Sequence, residues 1–324
     1  MALGEFDLIA KFFKRPVRRA ALGVGDDCAL LNVAPGMQLA VSSDMLVEGR
    51  HFLSTVLPAR LGHKSLAVNL SDLAACGARP LAFTLALSLP RADAAFLEGF
   101  SSGLFALADE HGIELVGGDT TAGPLNICIT VFGEVPAGRG LLRSGGRPGD
   151  DLWVSHPPGG GIGDARLALE VFRGHVSLDG WDFEKVRHAM EQPRPRVALG
   201  LALRDLAHSA LDVSDGLLGD LGHLLRASRV GARVDADALP RSAVLAAQPR
   251  ALQLECGLAG GDDYELLFSA SPQRREAVLA AARAAGVGVA RIGELQSEPG
   301  LRLVDGYGSP LQDTFASFDH FLSA

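Results

Sequence analysis

The chain is poor in the residues on which several common chemistries depend. Its four cysteines, Cys28, Cys76, Cys128 and Cys256, lie far apart in 324 residues and form no C-x-x-C pair, which argues against a zinc ribbon and against a disulfide framework. No apolar run approaches the roughly 18 residues needed to cross a bilayer. The start, Met1-Ala2-Leu3-Gly4-Glu5-Phe6-Asp7, has no basic stretch followed by an apolar one. The expectation is a cytoplasmic protein with no membrane partner. Basic residues are also scarce: 30 Lys and Arg face 38 Asp and Glu, for a net charge of −8. That balance argues against a nucleic-acid surface, so any anionic substrate has to be held by metal ions or by a local basic patch. The phosphate loop G-x-x-x-x-G-K-[ST], the G-x-G-x-x-G fingerprint, the G-x-S-x-G elbow and the H-R-D and D-F-G kinase signatures are all missing.

What the chain does have is aspartate next to small residues. Five such segments punctuate it: Gly25-Asp26-Asp27, Ser42-Ser43-Asp44, Ser71-Asp72, Gly117-Gly118-Asp119 and Asp212-Val213-Ser214-Asp215-Gly216. Most fall where an apolar run stops, which reads as turns at the ends of strands or the starts of helices. Hard oxygen donors in that number suit Mg²⁺ better than zinc or copper. The first expectation is a multi-metal phosphate site.

With 48% hydrophobic and 21% charged residues, the chain can bury an ordinary core, and its length favours two domains. Strand patterns, such as Gln38 to Ser42 and Ile127 to Val135, alternate with helical ones. Helices are expected over Lys64 to Cys76, stopped by Gly77 and Pro80, and over Ala94 to His111, stopped by Gly112. Further helices are expected near Ala165 to Phe172 and Val197 to Ala210. This is an α/β or α+β pattern. The Gly- and Arg-rich stretch from Ala137 to Asp150 reads as the connection, giving domains 1–140 and 141–324.

Within Lys64 to Cys76, the residues Ser65, Asn69, Asp72 and Cys76 fall at helical spacing, so an amide and a carboxylate share one face of an apolar helix. A solvated stripe would ordinarily carry Lys and Glu instead. Asp212 and Asp215 exceed what one helix cap needs and would repel one another without a cation, since no basic residue adjoins them in sequence. The glycines before Asp119 let the backbone approach a phosphate. Gly159 to Gly163 matches no phosphate-binding pattern and is read as a loop. The result is a set of metal-binding carboxylates with no evident general base. Such a set suits an acceptor that is itself a phosphate, because its oxygen is already anionic at neutral pH. The obstacle to transfer is then charge repulsion, which several Mg²⁺ ions offset.

These motifs, taken in order with Gly4-Glu5-Phe6, Asp44-Met45-Leu46-Val47-Glu48-Gly49-Arg50-His51-Phe52, Arg143-Ser144-Gly145 and Gly261-Asp262-Asp263-Tyr264-Glu265-Leu266, closely resemble those of the thiamine-monophosphate kinases over almost the whole chain. That family uses ATP to convert thiamine monophosphate into thiamine diphosphate. The resemblance implies an N-terminal α/β domain whose sheet forms the core of a homodimer and a C-terminal α/β domain, as in aminoimidazole ribonucleotide synthetase and selenophosphate synthetase. It implies a Mg²⁺ shell of Asp27, Ser42, Ser43, Asp44, Asp72, Asp119, Asp212 and Asp215. Nucleotide contacts are implied for Gly118, Asp119, Arg143 and Ser214. Contacts to thiamine monophosphate are implied for His51, Asp262 and Phe318, the last an aromatic able to stack on a thiamine ring. Ser43 stands where the family commonly has Thr. Asp262 stands where it usually has Glu, one methylene longer, which leaves Asp263 as the alternative contact. Two competing functions are another ATP-dependent enzyme of the superfamily, whose substrate motifs are absent, and a non-catalytic Mg²⁺ or nucleotide regulator, which has no reason to keep every cluster.

Overall fold

A computed structural model describes residues 4–25, 28–311 and 315. The chain divides into two compact units, one made of the chain up to Leu73 with Ala78–Gly138, the other of Ala74–Gly77 with everything from Arg139 onward.

The first unit contains helices α1 (Glu5–Leu8), α2 (Pro58–Ala75) and α3 (Ala94–His111), and strands β1 (Met37–Val47), β2 (Arg79–Leu89), β3 (Glu114–Ala122) and β4 (Asn126–Pro136). The strands form one sheet in the order β1-β4-β2-β3, antiparallel except for β2 and β3. That parallel pair needs a crossover, and α3 supplies it. Asp93 caps α3 by accepting from the N–H groups of Ala95 and Phe96, and Gly112 ends it in the left-handed conformation, φ +60°. One face of the sheet is covered. Phe83, Leu85 and Leu87 on β2 and Ile127, Ile129 and Val131 on β4 alternate along their strands and are buried with Leu66, Leu70 and Leu73 of α2 and Phe100 and Leu104 of α3. The two helices meet closely: a Cβ on Gly103 would lie 1.8 Å from the Ala59 carbonyl oxygen, so only glycine fits. The other face is open along β1, where Leu39, Val41 and Met45 are 43%, 55% and 55% exposed.

The second unit contains strands β5 (Asp151–His156), β6 (Ala207–Val213), β7 (Gly231–Asp235), β8 (Glu265–Ala270), β9 (Gly288–Gln296) and β10 (Gly300–Val304) in the order β10-β7-β9-β5-β8-β6. Its helices are α4 (Asp164–Phe172), α5 (Gly180–Glu191), α6 (Val197–Leu203), α7 (Leu217–Ser228), α8 (Ala243–Ala246), α9 (Arg250–Ala259) and α10 (Arg275–Ala284). A core of leucines and valines from β5, β6, β7 and α7 includes Leu152, Val213, Leu221 and Val234. A second cluster joins α4, α5 and α8 through Leu167, Val186 and Leu245. The mixed α/β architecture is the one expected.

Two local expectations are corrected. The helix anticipated over Val197 to Ala210 stops at Leu203, and Ala207–Val213 is instead the edge strand β6, paired with β8 from Ala207↔Ala270 to Val213↔Glu265. Leu- and Ala-rich segments favour helix locally, and the pairing and burial of β6 override that preference. Three of the segments read as turns are not turns: Ser42-Ser43-Asp44 lies inside β1, Ser71-Asp72 inside α2, and Gly117-Gly118-Asp119 in the middle of β3. The β2–β3 register shifts between Phe83 and Thr84, and Gly118, at φ +144°, brings the chain so near β2 that a Cβ would sit 1.8 Å from the Leu85 carbonyl oxygen. The extra residue of the shift is Val116, and the glycine just beyond it serves the close approach of the two strands.

Candidate active site

In the first unit the pleat of β1 divides the Ser42-Ser43-Asp44 triplet. Ser42 and Asp44 point to the helix-covered side. Ser42 Oγ donates to Asp72 Oδ2 at 2.5 Å, and the backbone N–H of Asp44 donates to Asn69 Oδ1 at 3.1 Å. Asn69 is fully buried, and its amide nitrogen donates to the Ser65 carbonyl at 3.0 Å. The polar face foreseen on α2 is therefore real: Asn69 fixes the backbone of β1 one helical turn from the point where Asp72 meets Ser42. Ser43 points the other way, with its Oγ 2.9 Å from Thr130 Oγ1 and donating to the Ile129 carbonyl at 3.2 Å. Its hydroxyl does not join the carboxylates. Asp119 is not beside them either. It lies on β3, the opposite edge strand, in register with Ala86 and through it with Cys128 and Met45, about 14 Å across the sheet at ~4.8 Å per strand.

His51 follows a tight turn after β1. Its ring Nδ1 accepts from the Val47 N–H at 3.0 Å, and its backbone N–H donates to the Val47 carbonyl at 3.0 Å. An accepting Nδ1 puts the proton of the neutral ring on Nε2. Beside this turn, Glu48, Phe52, Leu53, Asp93 and Phe96 line a cavity of about 470 Å³.

In the second unit, the chain leaves β6 through Val213-Ser214-Asp215-Gly216 and enters α7. Gly216, at φ +113°, occupies the capping position and supplies no side-chain cap, so neither Ser214 nor Asp215 is spent on capping. The N–H groups of both donate instead to Asp220 Oδ2, at 3.0 Å each. Burial drives the Asp220 carboxyl up to about 6, with the two N–H donors and the nearby Arg143 charge acting against it. Arg143 and Arg226 also act, with burial foremost, to hold the His223 ring below its usual range. A basic neighbourhood thus exists where sequence adjacency shows none, because the connector carrying Arg143 is tied to the end of α7: Ser228 Oγ donates to the Arg143 carbonyl at 2.9 Å and accepts from the Gly146 N–H at 3.0 Å.

The segment Gly261 to Tyr264 braces the same turn. The N–H groups of Asp262 and Tyr264 donate to the carbonyls of Ser214 (2.7 Å) and Val213 (2.8 Å). Gly261, Asp262 and Tyr264 all have positive φ, at +71°, +64° and +53°, a run that non-glycine residues rarely adopt. Asp263 accepts from the Gly163 N–H at 2.8 Å, and burial pushes its carboxyl well above the usual range. Its carboxylate thus holds the end of the glycine-rich loop, a role not foreseen for either segment. Asp27 and Phe318 lie outside the described residues.

Among the described residues, no three His, Cys, Asp or Glu side chains close into a metal cage. Ser42 and Asp72, which do meet, and Asp44, on the same face of β1 as Ser42, offer only oxygen donors, and this fits Mg²⁺, which commonly binds through one or two carboxylates and completes its shell with water and substrate phosphates. No helix among the described residues is long and apolar enough to cross a membrane.

Residues 25–135 match the AIR synthase related protein N-terminal domain, and residues 147–306 match the corresponding C-terminal domain. The thiamine-monophosphate kinase of Salmonella typhimurium is 45% identical over 328 residues, covering 99% of each chain. The crystal structure of thiamine-monophosphate kinase from Stenotrophomonas maltophilia is 43% identical, with a TM-score of 0.84 over 96% of this chain and 99% of that one. A structure of AaThiL complexed with AMPPCP and TMP is 26% identical, with a TM-score of 0.76 over 90% of this chain and 89% of its own. With two AIR synthase related domains and full-length identity at this level, the chain belongs to the thiamine-monophosphate kinase family.

Proposed function

We propose that this chain catalyses direct, in-line transfer of the γ-phosphoryl group of ATP to thiamine monophosphate, giving thiamine diphosphate. One observation carries the mechanistic part: the hydroxyl of Ser42 and the backbone of Asp44 are fixed by Asp72 and Asn69 into an oxygen-only acidic site. Mg²⁺ bound there would offset phosphate charge and align donor with acceptor. The acceptor phosphate supplies its own anionic oxygen, so the site has no need of a general base.

Ser42, Asp44 and Asp72 are assigned to metal, with Ser43 able to contribute only its carbonyl. Asp27, Asp119, Asp212 and Asp215 are assigned to the same role on family resemblance. Arg143, Ser214 and Gly118 are assigned to the nucleotide. His51, Asp262 and Phe318 are assigned to thiamine monophosphate, with Nε2–H of His51 as the donor. Asp263, engaged by Gly163, is assigned a supporting role. The exposed Leu39, Val41 and Met45 of β1 are assigned to a homodimer interface, since burying such a row is favourable.

The test is purified protein with ATP, Mg²⁺ and thiamine monophosphate, with thiamine diphosphate resolved from free phosphate. Formation of thiamine diphosphate with equimolar ADP supports the reading. Phosphate release without thiamine diphosphate, or no turnover, contradicts it.

A further inference from the structure

The turn that presents Ser214 and Asp215 is held from two sides. The carbonyls of Val213 and Ser214 accept from Tyr264 and Asp262 at 2.8 and 2.7 Å. The opposite edge, the N–H groups of Ser214 and Asp215, converges on one oxygen, Asp220 Oδ2, at 3.0 Å from each. Asp220 sits in the first turn of α7 and is 7% exposed. Helix capping does not account for it, because even a capping box reaches back only to the N–H of the capping residue, here Gly216, whereas both donors lie before it. Solubility does not account for it either. A buried carboxylate is costly, and here its burial is offset only in part by the two N–H donors and Arg143. An apolar side chain would avoid that cost but would leave two turn N–H groups unpaired.

We propose that Asp220 is a positioning residue for phosphoryl transfer: by accepting both N–H groups it fixes the two successive peptides Val213–Ser214 and Ser214–Asp215, and so aims the side chains of Ser214 and Asp215 at the metal-bound nucleotide. The proposal rests on the assignment of Ser214 and Asp215 made above. Asp220 itself touches neither substrate nor metal in this scheme. Both hydrogen bonds use a single oxygen, so the amide oxygen of asparagine can replace it, whereas alanine cannot.

The experiment compares Asp220→Ala, Asp220→Asn and Asp215→Asn in the full chain. It measures hydrogen exchange at the Ser214 and Asp215 amides, calorimetric affinity for AMPPCP with Mg²⁺ in the absence of thiamine monophosphate, and kcat and KM for each substrate. Small displacements of positioned groups cost roughly 10–100-fold in rate, so Asp220→Ala is expected to lose that much in AMPPCP affinity and in kcat/KM for ATP. Its two amides should lose protection while KM for thiamine monophosphate stays within about 3-fold, a split that general destabilisation would not produce. Asp220→Asn should keep amide protection and remain within about 5-fold of the parent, since it retains the acceptor oxygen. A folded Asp220→Ala that loses protection yet binds AMPPCP normally overturns the proposal, as does an Asp220→Asn that is protected but as impaired as alanine. If the alanine variant does not fold, the asparagine variant decides by the same criterion. Normal binding and turnover in Asp215→Asn would instead show that the underlying assignment of Asp215 is wrong. An impaired Asp215→Asn beside a normal Asp220→Ala would refute positioning alone.

Discussion

Ser42 on β1 donates its hydroxyl proton to Asp72 on α2 at 2.5 Å, which joins a strand and a helix through the polar atoms assigned to metal. Two consequences follow for Asp72. Its carboxylate is oriented before any ligand arrives, and its charge is carried at the surface of an otherwise apolar helix. Asp72→Asn keeps an oxygen for Ser42 and removes the charge. Both Asp72→Asn and Asp44→Asn should lower kcat by about 100-fold or more, as expected for loss of metal-assisted charge stabilisation. Thermal unfolding should move by only a few degrees, on the order of 1 kcal/mol. Near-parental turnover with unchanged Mg²⁺ dependence in both variants would remove these residues from the metal site.

Phe318→Ala is expected to raise KM for thiamine monophosphate more than KM for ATP, because a lost ring contact removes on the order of 0.5–1.5 kcal/mol beyond area burial. Steady-state kinetics with each substrate varied in turn checks this. An unchanged acceptor KM would make Phe318 a structural residue.

Arg196 and Glu265 form a buried two-pronged ion pair in the second unit, with Arg196 Nε donating to Glu265 Oε2 at 2.7 Å and Ser155 joining the same oxygen. Removing one partner strands the other. Glu265→Gln should therefore cost about 3–5 kcal/mol, whereas the double change Arg196→Met with Glu265→Met should cost much less. Urea unfolding of the two variants measures the difference.

Burial drives the Asp164 carboxyl from 3.8 up to about 6, with the Ser242 hydroxyl, at 2.6 Å, acting against the rise. A raised folded-state value means that this group contributes stability fully below about 3.8, and that the contribution disappears as pH climbs through about 6. Asp164→Asn, which keeps the acceptor for Ser242, should stabilise the protein at pH 7.5 by on the order of 1–2 kcal/mol after allowance for partial exposure. The gain should vanish near pH 4. A gain of the same size at both pH values would contradict the burial argument.

Much of this architecture was legible because its signals are local. Gly112 ends α3 at the residue where the capping rule places it, and the Ser65-Asn69-Asp72 spacing put those three side chains on one face of α2. What escaped depended on partners distant in sequence. The strand Ala207–Val213 reads as helix until β8 pairs with it. Gly118 reads as a turn until its close approach to Leu85 shows a strand position that only glycine can fill. Period-two alternation alone separates Ser43 from Ser42 and Asp44, and that holds only once the segment through Val47 is known to be one strand. Asp220 left one faint signal, a carboxylate in the first turn of a helix whose capping position is glycine. Its acceptor role depends on how the turn before the helix folds back over it.

The central claim is direct transfer from ATP to thiamine monophosphate, with no phosphorylated enzyme on the path, since the site gathers acidic oxygen donors and the acceptor phosphate is its own nucleophile. The most direct measurement uses ATP made chiral at the γ-phosphorus and determines the configuration of the phosphoryl group in thiamine diphosphate. Inversion is the predicted result. Retention, or a kinetically competent phospho-enzyme isolated after exposure to ATP alone, would contradict the account and make one of the aspartates assigned to Mg²⁺ a nucleophile.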